Sequence, residues 1–92
     1  MEELTRKRQF VRELANKLFA EGKTIDAADL AMRLNAAGHT TGYGTVFAGG
    51  RGTYMLIRGV YHWFDKVIDS HDEATAVARA FTKPNGRYAY EV

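Results

Sequence analysis

The sequence predicts a mainly helical α+β domain, with three to four helices and a small C-terminal strand or hairpin. Apolar residues recur at helical spacing through most of the chain, which is typical of amphipathic helices. Strict alternation, which is typical of a strand, appears only in the tail at residues 87–92. The 92 residues are 46% hydrophobic, enough for one modest core, so residues 1–92 are expected to form a single domain.

Composition restricts the kind of protein. The chain has no cysteine, which excludes a disulfide framework, a thiolate metal site and a cysteine nucleophile, and which fits a reducing compartment. No apolar run is long enough for a membrane span, and the N-terminal residues contain no signal-peptide core. We therefore expect a cytoplasmic protein without a membrane partner. The net charge of +2 permits nucleic-acid binding without demanding it.

The first predicted helix spans residues 3–21. One face is apolar, and Gly22 is a candidate C-terminal cap. Basic residues cluster early in this helix, where they either form a solvated face or contact nucleic-acid phosphates. The apolar face consists of Leu4, Val11, Leu14, Ala15 and Leu18, and the basic residues are Arg6, Lys7, Arg8 and Arg12.

The second predicted helix spans residues 26–37, with Thr24 or Asp26 as its N-terminal cap and Gly38 at its end. Its apolar face contains Ala27, Leu30, Ala31 and Leu34.

A glycine-rich segment, residues 38–53, holds six of the nine glycines and leads into the longest helix. Clustered glycines indicate unusual backbone dihedrals or close approach by another group. The segment contains a possible short strand at residues 45–47. Because Arg51 lies where the next helix starts, this place is a candidate anion-binding site.

The third helix is predicted at residues 53–69 and is expected to be the core helix. Its apolar arc is wider than the usual amphipathic stripe of about 100°. The arc comprises Tyr54, Leu56, Ile57, Val60, Tyr61, Trp63, Phe64, Val67 and Ile68. The opposite face carries Met55, Arg58, Gly59, His62, Asp65, Lys66 and Asp69.

The fourth helix is predicted at residues 71–82, because Ser70 and Glu73 have the spacing of a capping box. An alternative interpretation makes residues 76–82 a strand, which pairs with the tail strand at 87–92 in a hairpin with its tip at 83–87.

Catalytic and cofactor motifs are not matched. The glycines lack the lysine and the preceding strand that a phosphate-binding loop requires. Ser70, His71 and Asp72 are adjacent and cannot converge as a catalytic triad. His62, Asp65 and Asp69 share a helix face, but ion pairing explains them more simply than a metal. We predict no enzyme activity, no catalytic residue, no metal and no cofactor.

The order of elements resembles helix-turn-helix and winged-helix DNA-binding domains over residues 4–69. Residues 27–34 (AADLAMRL) stand for the supporting helix, and residues 51–58 (RGTYMLIR) for the start of the recognition helix. The resemblance implies a helix-turn-helix-like core and a DNA-binding function in transcription regulation, through the glycine-rich loop and the start of the third helix. The family turn has roughly three or four residues, whereas the connection here has fourteen. The implied DNA contacts are Arg51, Thr53, Met55, Arg58 and His62, joined by Arg6, Arg8 and Arg12.

A second class of function remains open. An edge strand at residues 87–92 can recruit a partner strand or a second copy of the chain. The chain would then be a non-enzymatic protein-protein interaction module, such as a regulator, an inhibitor or an assembly subunit, with Tyr88 and Tyr90 as the partner-binding residues.

Overall fold

A computed structural model describes residues 5–48, 50–82 and 87 of the chain. These residues form four α-helices, a π-helical segment and a two-stranded parallel sheet, which confirms the predicted mainly helical α+β class. In chain order the elements are α1 (Arg6–Glu21), β1 (Ile25–Asp26), α2 (Ala27–Ala36), α3 (Arg51–His62), the π-helical segment (Trp63–Val67), α4 (His71–Ala80) and β2 (Phe81–Thr82). No helix in this described part of the chain combines the length and the apolar character needed to cross a bilayer.

Helices α1 and α2 are bounded by local capping interactions. The Thr5 hydroxyl accepts a hydrogen bond from the Arg8 backbone N–H at 3.4 Å, and Gly22 ends α1 in the left-handed region at φ 66°. Gly22 is therefore the predicted C-terminal cap. Asp26, not Thr24, caps α2, because its carboxylate accepts from the Asp29 backbone N–H at 2.8 Å.

Helix α3 begins two residues earlier than predicted and changes its geometry near its end. The α-helical part stops at His62, and residues Trp63–Val67 continue as a π-helix. The Ile68 N–H reaches back to the Trp63 carbonyl at 3.1 Å, a five-residue span, and the chain then turns at Asp69 with φ 56°. The predicted helix at 53–69 is confirmed in place, but its final turn is wider because π-helices insert one extra residue per turn.

The short sheet joins two distant parts of the chain. Ile25 pairs with Phe81 and Asp26 with Thr82, in parallel. The predicted fourth helix at 71–82 is confirmed as α4 up to Ala80, and only Phe81 and Thr82 are extended, in β2. The predicted strand at residues 45–47 is wrong, because this segment is irregular. The predicted hairpin tip at 83–87 and the tail strand at 87–92, apart from Arg87 in a bend, lie outside the described residues.

The predicted capping box at the start of α4 is not formed. Ser70 makes no side-chain capping bond; only its carbonyl accepts, from the Ala74 N–H at 3.0 Å. Glu73 instead accepts hydrogen bonds from α1, from Arg12 at 2.8 Å and from Asn16 at 3.2 Å. The Glu73 carboxylate therefore binds side chains of α1 and does not cap the N-terminus of its own helix.

The core lies between α1, α3 and α4, with α2 and the sheet closing one side. Buried alanines on α4 allow close helix packing, and Phe64 of the π-helical segment is only 1% exposed. The largest fully buried side chains are Phe64, Phe81, Leu30, Leu34, Ile57, Val11, Val60, Val77 and Thr53.

Candidate functional site

A cavity of about 820 Å³ lies where the starts of α1 and α3 meet the glycine-rich loop. Lys7, Arg8 and Arg51 contribute cationic side chains to its wall. Among the described residues that line it, none is acidic. Loop residues form one rim, and apolar side chains form the floor. The loop residues are Thr41, Gly42, Tyr43 and Thr45, and the apolar residues are Phe47, Met55 and Leu56.

The Arg8 side chain packs over Gly59 of α3. A Cβ atom built on Gly59 would lie 3.2 Å from Arg8 Nη2 and 3.5 Å from Arg8 Cζ. The guanidinium therefore lies against the backbone of α3. A Cβ at this position would require the guanidinium to shift by a few tenths of an ångström. The contact brings a cation of α1 onto the face of α3 that carries Met55.

Lys7 links α1 to the glycine-rich loop. Its ammonium donates a hydrogen bond to the Thr40 carbonyl at 3.0 Å, just before the loop turns. Lys7 therefore fixes one edge of the cavity as well as adding positive charge to it.

The loop at residues 41–45 is closed by its own hydrogen bonds. The Thr41 N–H donates to the Thr45 carbonyl, and the Gly44 N–H donates to the Thr41 carbonyl, both at 2.9 Å. The two threonine hydroxyls lie 2.7 Å apart, and Gly44 adopts φ 78°, which favours glycine. Tyr43 lies at the tip of this turn with 96% of its surface exposed.

Asn35, at the end of α2, anchors the next part of the loop. Its side-chain amide donates to the Phe47 carbonyl, and its side-chain oxygen accepts from the Phe47 N–H, each at 2.8 Å. The Asn35 amide thus bonds both backbone groups of Phe47, as a paired strand residue would. The Phe47 ring is held in the core at 5% exposure. The long glycine-rich connection is therefore fixed at both ends of its irregular stretch.

The start of α3 also lies at the cavity wall. Gly50 precedes the helix without a side-chain cap, and its carbonyl accepts from the Thr53 and Tyr54 N–H groups at 3.1 Å. The N–H groups of Arg51 and Gly52 belong to the first turn, where an α-helix offers no internal acceptor. Both residues line the cavity, and a helix N-terminus favours an anion.

The structure brings together part of the predicted DNA-contact set. Arg8, Arg51 and Met55 line the cavity. Arg58 is exposed further along α3 and donates from Nε to His62 Nε2 at 3.4 Å. Arg6 lies apart, in a separate depression beside Glu13.

Two predicted contacts take structural positions instead. Thr53 is wrong as a DNA contact, because it is 1% exposed and its hydroxyl has no hydrogen-bond partner among the described residues. The spacing of Thr53 to Leu56 and Ile57 already places it on the apolar face. Arg12 binds Glu73 at 2.8 Å and stands over the Phe64 ring at 5.5 Å, so its charge is compensated within the fold.

Sequence reasoning missed Tyr43, which lines the cavity, and Asn35, which anchors the loop beside it. The sequence signal for Tyr43 is its position between two glycines inside a pair of threonines, which is typical of a turn that exposes its central side chain. Asn35 carries no such signal, because its partner is the backbone of Phe47, twelve residues away. The proposed partner-binding residues Tyr88 and Tyr90 lie outside the described part of the chain.

The acidic end of α3 lies away from the cavity and is internally paired. Asp65 contacts Lys66 at 3.3 Å and His71 at 3.4 Å, and Asp69 lies 3.5 Å from the other nitrogen of His71. Across residues 5–48, 50–82 and 87, no group of three or more candidate ligands is arranged to hold a metal ion.

No protein-family model, curated protein sequence or solved structure matches this chain. The geometry and the charge of this cavity are therefore the basis for assigning a function.

Proposed function

We propose that the protein is a small DNA-binding regulatory protein of the helix-turn-helix or winged-helix type. It contacts DNA through the glycine-rich loop and the start of α3. The observation that carries the proposal is the wall of the cavity, where Lys7, Arg8 and Arg51 come together from two helices without an acidic neighbour among the described lining residues.

Phosphate is the ligand that this wall suits best. Arginine binds phosphate oxygens through a planar fork of donors, and lysine adds a point charge. The first-turn N–H groups of α3 add two further donors of the kind that contacts a DNA backbone. Lys7 is already bonded to the Thr40 carbonyl, and the Arg8 guanidinium packs over Gly59, so part of their side-chain freedom is lost before binding.

In this proposal, the exposed face of α3 recognises the base sequence of the DNA. Met55 is 52% exposed and Arg58 is exposed one turn further on. An arginine at this position can donate two hydrogen bonds to a guanine edge in the major groove, and Met55 offers an apolar contact to a thymine methyl group. This is the role that the family resemblance gives to the start of the recognition helix.

The acidic residues of α3 do not oppose this arrangement. Asp65 lies fourteen residues beyond Arg51, which corresponds to about 20 Å along the axis. That separation exceeds the Debye length of about 8 Å at physiological ionic strength. Asp65 is also paired with Lys66 and His71.

The test is binding to random-sequence duplex DNA by fluorescence anisotropy at about 50 and 200 mM salt. The parent is compared with an Arg51→Ala, Arg58→Ala double variant. A Lys17→Ala, Lys23→Ala double variant removes the same net charge from exposed positions outside the cavity and is the matched control.

We expect binding that falls with salt in the parent and in the control. The affinity of the double-arginine variant should fall, and its log–log salt slope should decrease by about 0.9 for each phosphate that the variant no longer neutralises. Equal reductions of affinity in both double variants would show a general charge effect and would overturn the assignment to this face. Absence of binding at low salt would overturn DNA binding itself.

A further inference from the structure

We infer that the cavity accepts one unpaired nucleotide, with its phosphate against Arg8 and Arg51 and its base stacked on Tyr43. The inference rests on the proposed function and deepens it, because it names the unit of nucleic acid that the cavity holds. The nucleotide comes either from an unpaired position in a strand or from free solution, and the experiment below separates these two sources.

Tyr43 is placed as a stacking residue and not as a core residue. It is 96% exposed, so the fold gains almost no packing from its ring. The turn that carries it is nevertheless closed by the contacts between Thr41 and Thr45. A large aromatic ring held in solvent by an ordered turn offers a π-face at low entropic cost, and every base can stack on such a face.

The cavity has the size and the lining for a nucleotide. Its volume of about 820 Å³ falls within the range of roughly 300–1,000 Å³ that is typical of small-ligand sites. Phe47 and Leu56 are buried at 5% and 8% exposure and give the cavity an apolar floor. A base can cover this floor, whereas a phosphate alone would leave it bare.

The charges and the aromatic ring belong to the same cavity. Lys7, Arg8, Arg51 and Tyr43 all line it. A cationic groove beside an exposed aromatic side chain is the combination by which proteins bind unpaired nucleotides. A paired base in an intact duplex presents only its edge, so it cannot lie flat against the Tyr43 ring.

The test measures binding of a fluorescent single-stranded oligothymidine, of an abasic strand with the same number of phosphates, and of the random-sequence duplex. Unlabelled thymidine monophosphate is added by isothermal titration. The variants are Tyr43→Ala, Tyr43→Phe and Arg51→Ala. Met32→Ala is the control, because Met32 is 71% exposed on α2 and does not line the cavity. Circular dichroism melting verifies that each variant folds.

We expect the parent to bind oligothymidine about 5- to 150-fold more tightly than the abasic strand, which is the range for stacking of one base. Tyr43→Ala should remove this preference, while Tyr43→Phe and Met32→Ala should keep it. Arg51→Ala should weaken both strands by a similar factor.

The outcomes separate this inference from the proposed function. If the parent binds duplex, oligothymidine and abasic strand equally well, the nucleotide site is overturned while DNA binding stands. If only thymidine monophosphate binds, and Tyr43→Ala abolishes that binding, the nucleotide site stands and DNA binding is overturned. If none of the probes binds, both are overturned.

Discussion

The two ends of the α3 helix use their charges in opposite ways. At the start, Arg51 lies beside Arg8 and Lys7 in a cavity without an acidic neighbour among the described lining residues. At the far end, inside the π-helical segment that continues α3, Asp65 is flanked by Lys66 and His71 within 3.4 Å. The first end gathers positive charges, whereas at the second end negative charges lie beside positively charged or basic partners.

Under the proposed function, the difference separates charges that stabilise the fold from charges that contact a nucleic acid. Like charges in proximity cost free energy, and a fold keeps them only when other contacts hold them in place. Here Thr40 holds Lys7, and the bare backbone at Gly59 receives Arg8. Compensated pairs such as Arg12 with Glu73 need no external partner.

Replacing Asn35 with alanine should give the largest effect, because the cavity depends on the loop that Asn35 anchors. The substitution removes both 2.8 Å hydrogen bonds to Phe47. We expect the free energy of unfolding to fall by about 1–3 kcal/mol. DNA affinity should fall as well, because the loop side of the cavity loses its support. Urea unfolding and anisotropy measure the two effects.

Asn16→Ala is the matched control for this experiment. Asn16 is exposed and makes a single hydrogen bond, to Glu73 at 3.2 Å. Its replacement should change the stability by less than about 0.5 kcal/mol. Equal effects at Asn35 and Asn16 would contradict the anchoring role of Asn35.

Arg8 and Arg12 lie one helical turn apart on α1, but their replacement should have opposite consequences. Loss of Arg12 should lower stability, and loss of Arg8 should lower DNA affinity. Arg12→Ala breaks a partly exposed ion pair and a cation–π contact, so the free energy of unfolding should fall by about 1 kcal/mol with little change in DNA affinity. Arg8→Ala should weaken DNA binding several-fold and leave the stability nearly unchanged. Thermal melting and anisotropy on both variants measure this crossover.

The distinction between compensated charges and charges that bind DNA would break if Arg12→Ala weakened DNA binding as much as Arg8→Ala does. Glu73→Gln serves as the control. It removes the charge that pairs with Arg12 and adds no cation to the cavity, so it should lower stability without lowering affinity.

The helices could be predicted from the sequence because their signals are local. Apolar residues at spacings of three and four identify α1 to α4, and Gly22 and Asp26 cap their helices through neighbours in the chain. The cavity could be predicted in part, because Arg51, Met55 and the glycine-rich segment are neighbours in the sequence.

The remaining features depend on contacts between distant residues. Strands β1 and β2 have two residues each, too few for an alternation pattern, and they pair across more than fifty intervening positions. Glu73 has the spacing of a capping residue but binds Arg12, sixty-one positions away. Nor does any local rule place the Arg8 side chain over Gly59, because that contact requires α1 and α3 to be packed first.

Asp69→Asn should have the smallest effect, and it tests whether the compensated end of α3 is separate from the DNA surface. Asp69 is exposed at φ 56°, a conformation that asparagine also tolerates, so the stability should change by less than about 0.5 kcal/mol. Its carboxylate lies more than about 20 Å along the helix from Arg51, beyond the reach of screened charges. DNA affinity measured by anisotropy should therefore change by less than about twofold. A clear gain in affinity would mean that DNA passes over this end too, and that the boundary between ligand-binding and fold-stabilising charges lies beyond α3.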